Sequence, residues 1–88
     1  SYTGLTWTGA GNERAVVRNV IPGSPGFVAG LTWGDEIVAV EGKRVSAGSV
    51  ARRFADHAPG ARVRVTYFRA DELRTTTLRV GRDPARVW

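Results

Sequence analysis

Cysteine and methionine are both absent from the 88 residues, and histidine and lysine each occur once. Without cysteine there is no disulfide framework, thiolate zinc site or redox pair, so a chain this short must hold itself together with one packed core. His57 has no second imidazole to join it in a metal site, and its neighbour Asp56 would point about 100° away from it on a helix, too far for a catalytic pair. The spacings H-E-x-x-H, C-x-x-C and the calcium loop are all missing. Gly9-Ala10-Gly11 lacks the third glycine and the helix of a dinucleotide loop, and Asp35-Glu36 reads as a turn acid that accepts from backbone amides. These absences lead us to expect a non-catalytic domain with no metal ligands and no cofactor of its own.

Long apolar runs are lacking too. Nothing approaches the roughly 20 residues of a membrane span, and Ser1-Tyr2-Thr3 carries no basic or apolar leader, so a soluble piece is expected. The start without methionine suggests a segment of a longer protein. The net charge is +5, with Arg supplying nearly all the positive side chains, yet these are spread from Arg14 to Arg86 and only Arg52 and Arg53 are adjacent arginines. A nucleic-acid footprint concentrates its cations on one face, so none is expected.

What is present is short, alternating apolar pattern. Tyr2 to Thr8 alternates with Leu5 and Trp7 on one side and Thr6 and Thr8 on the other, and stops at the turn cluster 9–12. Ala15 to Ile21 is β-branched and returns as the second strand of a hairpin. Ser24-Pro25 is a helix entry, the serine as N-cap and the proline at the first helical position, with Gly30 as the stop and Leu31 as the apolar anchor beyond it. Glu36 to Glu41 reads as a buried strand, Gly42-Lys43 as a tight turn and Arg44-Val45 as extended chain. A second helix is expected over 49–58, capped by Ser46 or Ser49 and ended by Pro59-Gly60, with Val50, Phe54 and then His57 or Ala58 on one face. Arg62 to Phe68 and Leu73 to Val80 form a second hairpin around 69–72. The sum is an α+β, mainly β chain: five to six strands in a partly open antiparallel barrel, capped by two helices.

Three segments resemble the PDZ peptide-binding domains, and together they cover nearly the whole chain. Tyr2-Thr3-Gly4-Leu5 is similar to the carboxylate-binding loop of bacterial members. Val20-Ile21-Pro22-Gly23-Ser24-Pro25, Ala29-Gly30-Leu31 and Gly34-Asp35-Glu36 to Gly42 follow the family's run of strand, Pro-Gly-Ser-Pro, Ala-Gly-Leu, Gly-Asp, strand and turn. Ser49 to Ala58 sits where the family places its groove-lining helix. The start at the carboxylate loop and the extra strand Leu73 to Val80 resemble the circularly permuted bacterial form, and Val65-Thr66-Tyr67-Phe68-Arg69-Ala70-Asp71-Glu72-Leu73-Arg74 resembles the final hairpin of glycyl aminopeptidase-like zinc metallopeptidases.

The resemblance implies a PDZ domain over 1–82 with a tail at 83–88. It implies a carboxylate nest at Thr3, Gly4 and Leu5, and a peptide groove formed by Tyr2, Thr6, Trp7, Thr8, Val50, Ala51 and Phe54. The expected function is a regulatory module of a bacterial protease that binds C-terminal or extended peptides by strand addition; the parent would be a zinc metallo-aminopeptidase or, alternatively, a serine protease of the high-temperature-requirement type. A different alternative is an intramolecular dock for the catalytic domain of its own chain, binding no free peptide. The isolated domain is expected to be a monomer, in the bacterial cytoplasm or periplasm according to its parent.

Overall fold

The computed structural model describes residues 2–82. Leu5–Thr8 forms β1, Ala15–Val20 β2, Pro25–Val28 α1, Glu36–Val40 β3, Lys43–Arg44 β4, Val50–Ala55 α2, Arg62–Arg69 β5 and Glu72–Arg79 β6. The strands make one antiparallel sheet in the order β1-β2-β3-β5-β6, with β4 alongside β3. The sheet is open, yet its ends approach each other: Tyr2 and Gly81 exchange both main-chain hydrogen bonds at 2.8 Å. This is the mainly β, two-helix architecture expected from the alternating pattern.

Period-two alternation places the core. On β5, Val63, Val65 and Tyr67 point inward, and Leu78 joins them from β6, Ile37 and Val40 from β3, and Ala15 and Val17 from β2. Leu31, just past α1, and Val50 and Phe54 on α2 cover the same cluster. Burial of these side chains is the main stabilising term, at about 1.5–3 kcal/mol for each fully buried aliphatic.

Helix α1 begins as its sequence suggests. Ser24 is the N-cap, its Oγ accepting from Phe27 N–H at 3.3 Å, and Pro25 follows inside the first turn. Helix α2 departs from expectation. It ends at Ala55, not near Ala58, because Pro59 disfavours helical geometry in the residue before it; the last turn tightens instead, His57 N–H donating to the Phe54 carbonyl at 3.2 Å. Ser49 takes the N-cap position but its hydroxyl caps nothing; its Oγ accepts from Ser46 N–H at 3.0 Å. The strand expected from Tyr2 begins only at Leu5, with Tyr2 left as an isolated bridge. The tail expected at 83–88 lies outside the described residues, as does Ser1.

Asp35 fixes the turn into β3. It is 1% exposed, accepts from Thr32 N–H at 2.9 Å, and takes a bidentate contact from Arg69 at 2.9 and 2.7 Å. Arg69 also donates to the Gly30 carbonyl at 2.7 Å and lies 5.3 Å from the Tyr67 ring centroid. The hydrogen bond to Asp35 raises the guanidinium pKa above its ordinary value, against the opposing effect of desolvation. One buried carboxylate thus ties the α1 exit to the end of β5, far along the chain.

Candidate functional site

The loop before β1 turns its carbonyls inward and its amides outward. Tyr2 O accepts from Gly81 N–H at 2.8 Å, Thr3 O from Gly26 N–H at 2.8 Å and Gly4 O from Ile21 N–H at 2.9 Å. With three consecutive carbonyls satisfied inside, the Thr3 and Gly4 N–H groups find no acceptor among the described residues. Such a row of amides is a nest for an anion. Gly4 makes the curvature possible: its φ is +75°, and a Cβ there would collide with Cβ and Oγ of Ser24. Gly26 has the same intolerance from the helix side, since a methyl on it would lie 2.7 Å from Leu5 Cγ.

Among the described residues strand β1 pairs with β2 only, Leu5 opposite Val20 and Trp7 opposite Val17, the extra residue of the intervening bulge being Arg18 on β2. Because Gly4 and Ile21 are bonded, the alternation of an antiparallel ladder directs the main-chain groups of Leu5 and Trp7 to the other edge. That edge faces α2, across a cavity of about 320 Å³ lined by Tyr2, Thr3, Gly4, Leu5, Thr6, Trp7, Ile21, Ala51 and Phe54. At its far end the Trp7 ring stacks on Phe54, centroids 6.1 Å apart and planes 8° from parallel.

Thr3, Gly4 and Leu5, the residues expected to form the carboxylate loop, therefore share one cavity with Tyr2, Thr6, Trp7, Ala51 and Phe54. Val50 does not line it. It is fully buried beneath α2 and belongs to the core, because one turn of a helix cannot present both position 50 and position 51 to the same space. Thr8 is exposed beyond the cavity. Ile21 lines it without having been singled out in the sequence; the signal was the hairpin register, since Leu5 opposite Val20 places Ile21 beside Gly4.

A larger cavity, about 590 Å³, lies among the β1–β2 connection, β3 and the approach to α2, with Arg14, Glu36, Arg44, Val45 and Ser46 in its wall. Volume does not choose between the two. The larger space is bordered by β3, which is bonded to strands on both sides, whereas the smaller one borders a strand edge and amides that have no partner among the described residues. Among the described residues no three His, Asp or Glu side chains gather as metal ligands, and no helix is long and apolar enough to cross a membrane.

Residues 3–80 match the family model described as PDZ domain. The chain belongs to the PDZ family. It is 38% identical over 72 residues to a probable periplasmic serine endoprotease, DegP-like, of Rhizobium meliloti strain 1021; the match takes in 81% of this chain and 14% of that protein. Among solved structures, an aminopeptidase N family protein of Idiomarina loihiensis superposes with a TM-score of 0.80 at 31% identity, over 89% of this chain and 13% of that one. A photosystem II D1 C-terminal processing protease gives a TM-score of 0.68 at 28% identity, over 89% and 22%. This PDZ chain thus spans less than a quarter of each relative, and all three relatives are peptidases by name.

Proposed function

We propose that this PDZ domain is the peptide-recognition module of a bacterial peptidase, and that it takes up an extended peptide segment as an added strand on β1. The observation that carries the reading is the edge of Leu5–Thr8 that faces α2 and pairs with no strand among the described residues, beside two amides with no acceptor among them. An incoming strand would bond the Leu5 carbonyl and Trp7 through its main chain, giving affinity that does not depend on sequence, and would lead a terminal carboxylate to the Thr3, Gly4 and Leu5 amides. Its last side chain would enter the space among Leu5, Ile21, Ala51 and Phe54, which favours a small or medium apolar residue. The domain itself supplies selection, and the catalysis belongs to the rest of the parent. Adding an apolar-ended peptide to the isotope-labelled domain should shift the Thr3 to Thr8 amides; shifts confined to other strands would overturn the reading.

The parent we favour is a zinc metallo-aminopeptidase, on the strength of the closely superposing aminopeptidase fold, with a serine endoprotease as the alternative. The residues immediately upstream decide: an H-E-x-x-H helix supports the first and a serine nucleophile loop the second. The compartment follows the parent. A second reading of the groove is favoured by the Trp7–Phe54 stack, which narrows its far end. In that reading the groove receives the catalytic domain of its own chain, so that the same amides respond to that domain and to no free peptide.

A further inference from the structure

The nest before β1 has three amides in sequence, and the third is already engaged. Leu5 N–H donates to Thr3 Oγ1 at 3.3 Å, while the Thr3 and Gly4 amides have no acceptor among the described residues. We propose that the Thr3 hydroxyl is a built-in competitor for the ligand carboxylate, a specificity-determining group that weakens the preference of the groove for free chain ends over amidated or internal segments. This rests on the reading that β1 receives a peptide strand, and adds which kind of peptide end it accepts.

The argument is one of position and of charge. A hydroxyl oxygen within hydrogen-bonding reach of Leu5 N–H sits where a carboxylate oxygen must come to use that amide. The surrounding backbone fixes the turn itself, Thr3 O by Gly26 N–H at 2.8 Å and Gly4 O by Ile21 N–H at 2.9 Å, so Leu5 N–H stays aimed at the Thr3 side chain and is released only when that side chain turns about its Cα–Cβ bond. Leu5 is buried and Thr3 half-buried, so water replaces the Thr3 contact poorly. A carboxylate would bond the same amide more strongly, since charge-assisted hydrogen bonds are roughly twice as strong as neutral ones. But it must first displace the hydroxyl, and only the difference appears as affinity. An amidated or internal segment brings no charge to the nest and loses less. Valine at this position has the shape of threonine and no acceptor.

The test compares the wild-type domain with Thr3→Val and Thr3→Ser, titrating each with the free-acid and the C-terminally amidated form of one apolar-ended peptide. In Thr3→Val the ratio of acid to amide affinity should rise by about five- to tenfold, the scale of one charge-assisted hydrogen bond set against a neutral one. Thr3→Ser, which keeps the hydroxyl, should stay near wild type. Amide hydrogen exchange at Leu5, measured without peptide, should speed up in Thr3→Val alone. An unchanged or lower ratio in Thr3→Val, with both peptides still bound at β1, overturns the proposal and leaves strand addition standing; a lower ratio would mean that the hydroxyl helps to hold the carboxylate. If no peptide perturbs β1 in any variant, strand addition itself fails, and the Leu5 exchange rate still decides the masking: equal rates in Thr3→Val and wild type overturn it.

Discussion

Trp7 on β1 and Phe54 on α2 lie nearly parallel, 6.1 Å between ring centroids and 8° between planes. Phe54 is 2% exposed, whereas Trp7 is only half-buried, so the indole is a lid on a core ring as well as a wall of the groove. Trp7→Ala should therefore lose about 2 kcal/mol of stability, since it removes both the stacking and the cover over Phe54. Trp7→Phe should lose less than half of that. Urea unfolding of the two variants checks the order, and equal losses would show that an aromatic ring over Phe54 contributes nothing.

The same position gives an optical reading of binding. In a chain carrying Trp33→Phe and Trp88→Phe, Trp7 is the sole indole. An apolar-ended peptide added along β1 should remove water from its half-exposed face and move its emission to shorter wavelength. A ligand held elsewhere on the domain should leave the emission where it was.

Much of this arrangement is legible beforehand, because the hairpin strands β1, β2, β5 and β6 carry alternating or β-branched patterns and most of the turns a glycine or proline. The two hairpins, the α1 entry at Ser24-Pro25 and the inward side of β5 all follow from local pattern. The end of α2 was overestimated because apolar spacing continues past the point where Pro59 stops the backbone. The family resemblance puts Val50 in the groove and passes over Ile21 for a shared reason: groove and core are two sides of one layer, and only the strand register and the helix rotation decide which side a residue faces. The Asp35–Arg69 contact joins residues 34 apart in sequence, and no local pattern announces it.

Gly4 is held by two constraints that can be separated. Gly60 shares the positive φ, at +93°, but a Cβ there would meet nothing within 4 Å, whereas at Gly4 it meets the Ser24 side chain. Gly60→Ala should lose about 1 kcal/mol, the conformational part alone. Gly4→Ala should lose at least about twice that and should also disturb the Thr3 to Leu5 amides. Thermal unfolding of both variants checks the difference, and equal losses would mean that Ser24 yields freely.

Asp35 and Arg69 make a pair that is buried at one end only, the side chains being 2% and 34% exposed. Arg69→Met would leave the carboxylate buried with Thr32 N–H as its remaining partner, and should cost about 2–4 kcal/mol, somewhat below a wholly buried pair because water reaches the guanidinium side. The raised pKa of Arg69 fixes the sign of the pH dependence. Its contribution is complete below the ordinary arginine value and is lost only as pH rises through the higher folded one, so the wild-type minus Arg69→Met stability difference should show no alkaline decline up to about pH 9. Urea midpoints of the two chains at neutral pH and at that limit check it.

The β5–β6 hairpin turns on Ala70 and Asp71, both with positive φ, at 51° and 64°, between the paired residues Arg69 and Glu72. Two left-handed residues in a two-residue loop make the turn that suits the twist of a hairpin, and asparagine followed by glycine is its preferred sequence. Alanine in that conformation is strained, by about 1 kcal/mol. Ala70→Asn with Asp71→Gly should accordingly stabilise the domain by roughly 0.5 kcal/mol, the relief at position 70 being partly offset by the extra freedom glycine gives the unfolded chain. The groove is formed by β1 and α2, and its residues are unchanged by the substitution, so peptide affinity should stay at the wild-type value while the unfolding midpoint rises. A midpoint that falls would mean that Asp71 supports the turn in a way its backbone angle does not reveal.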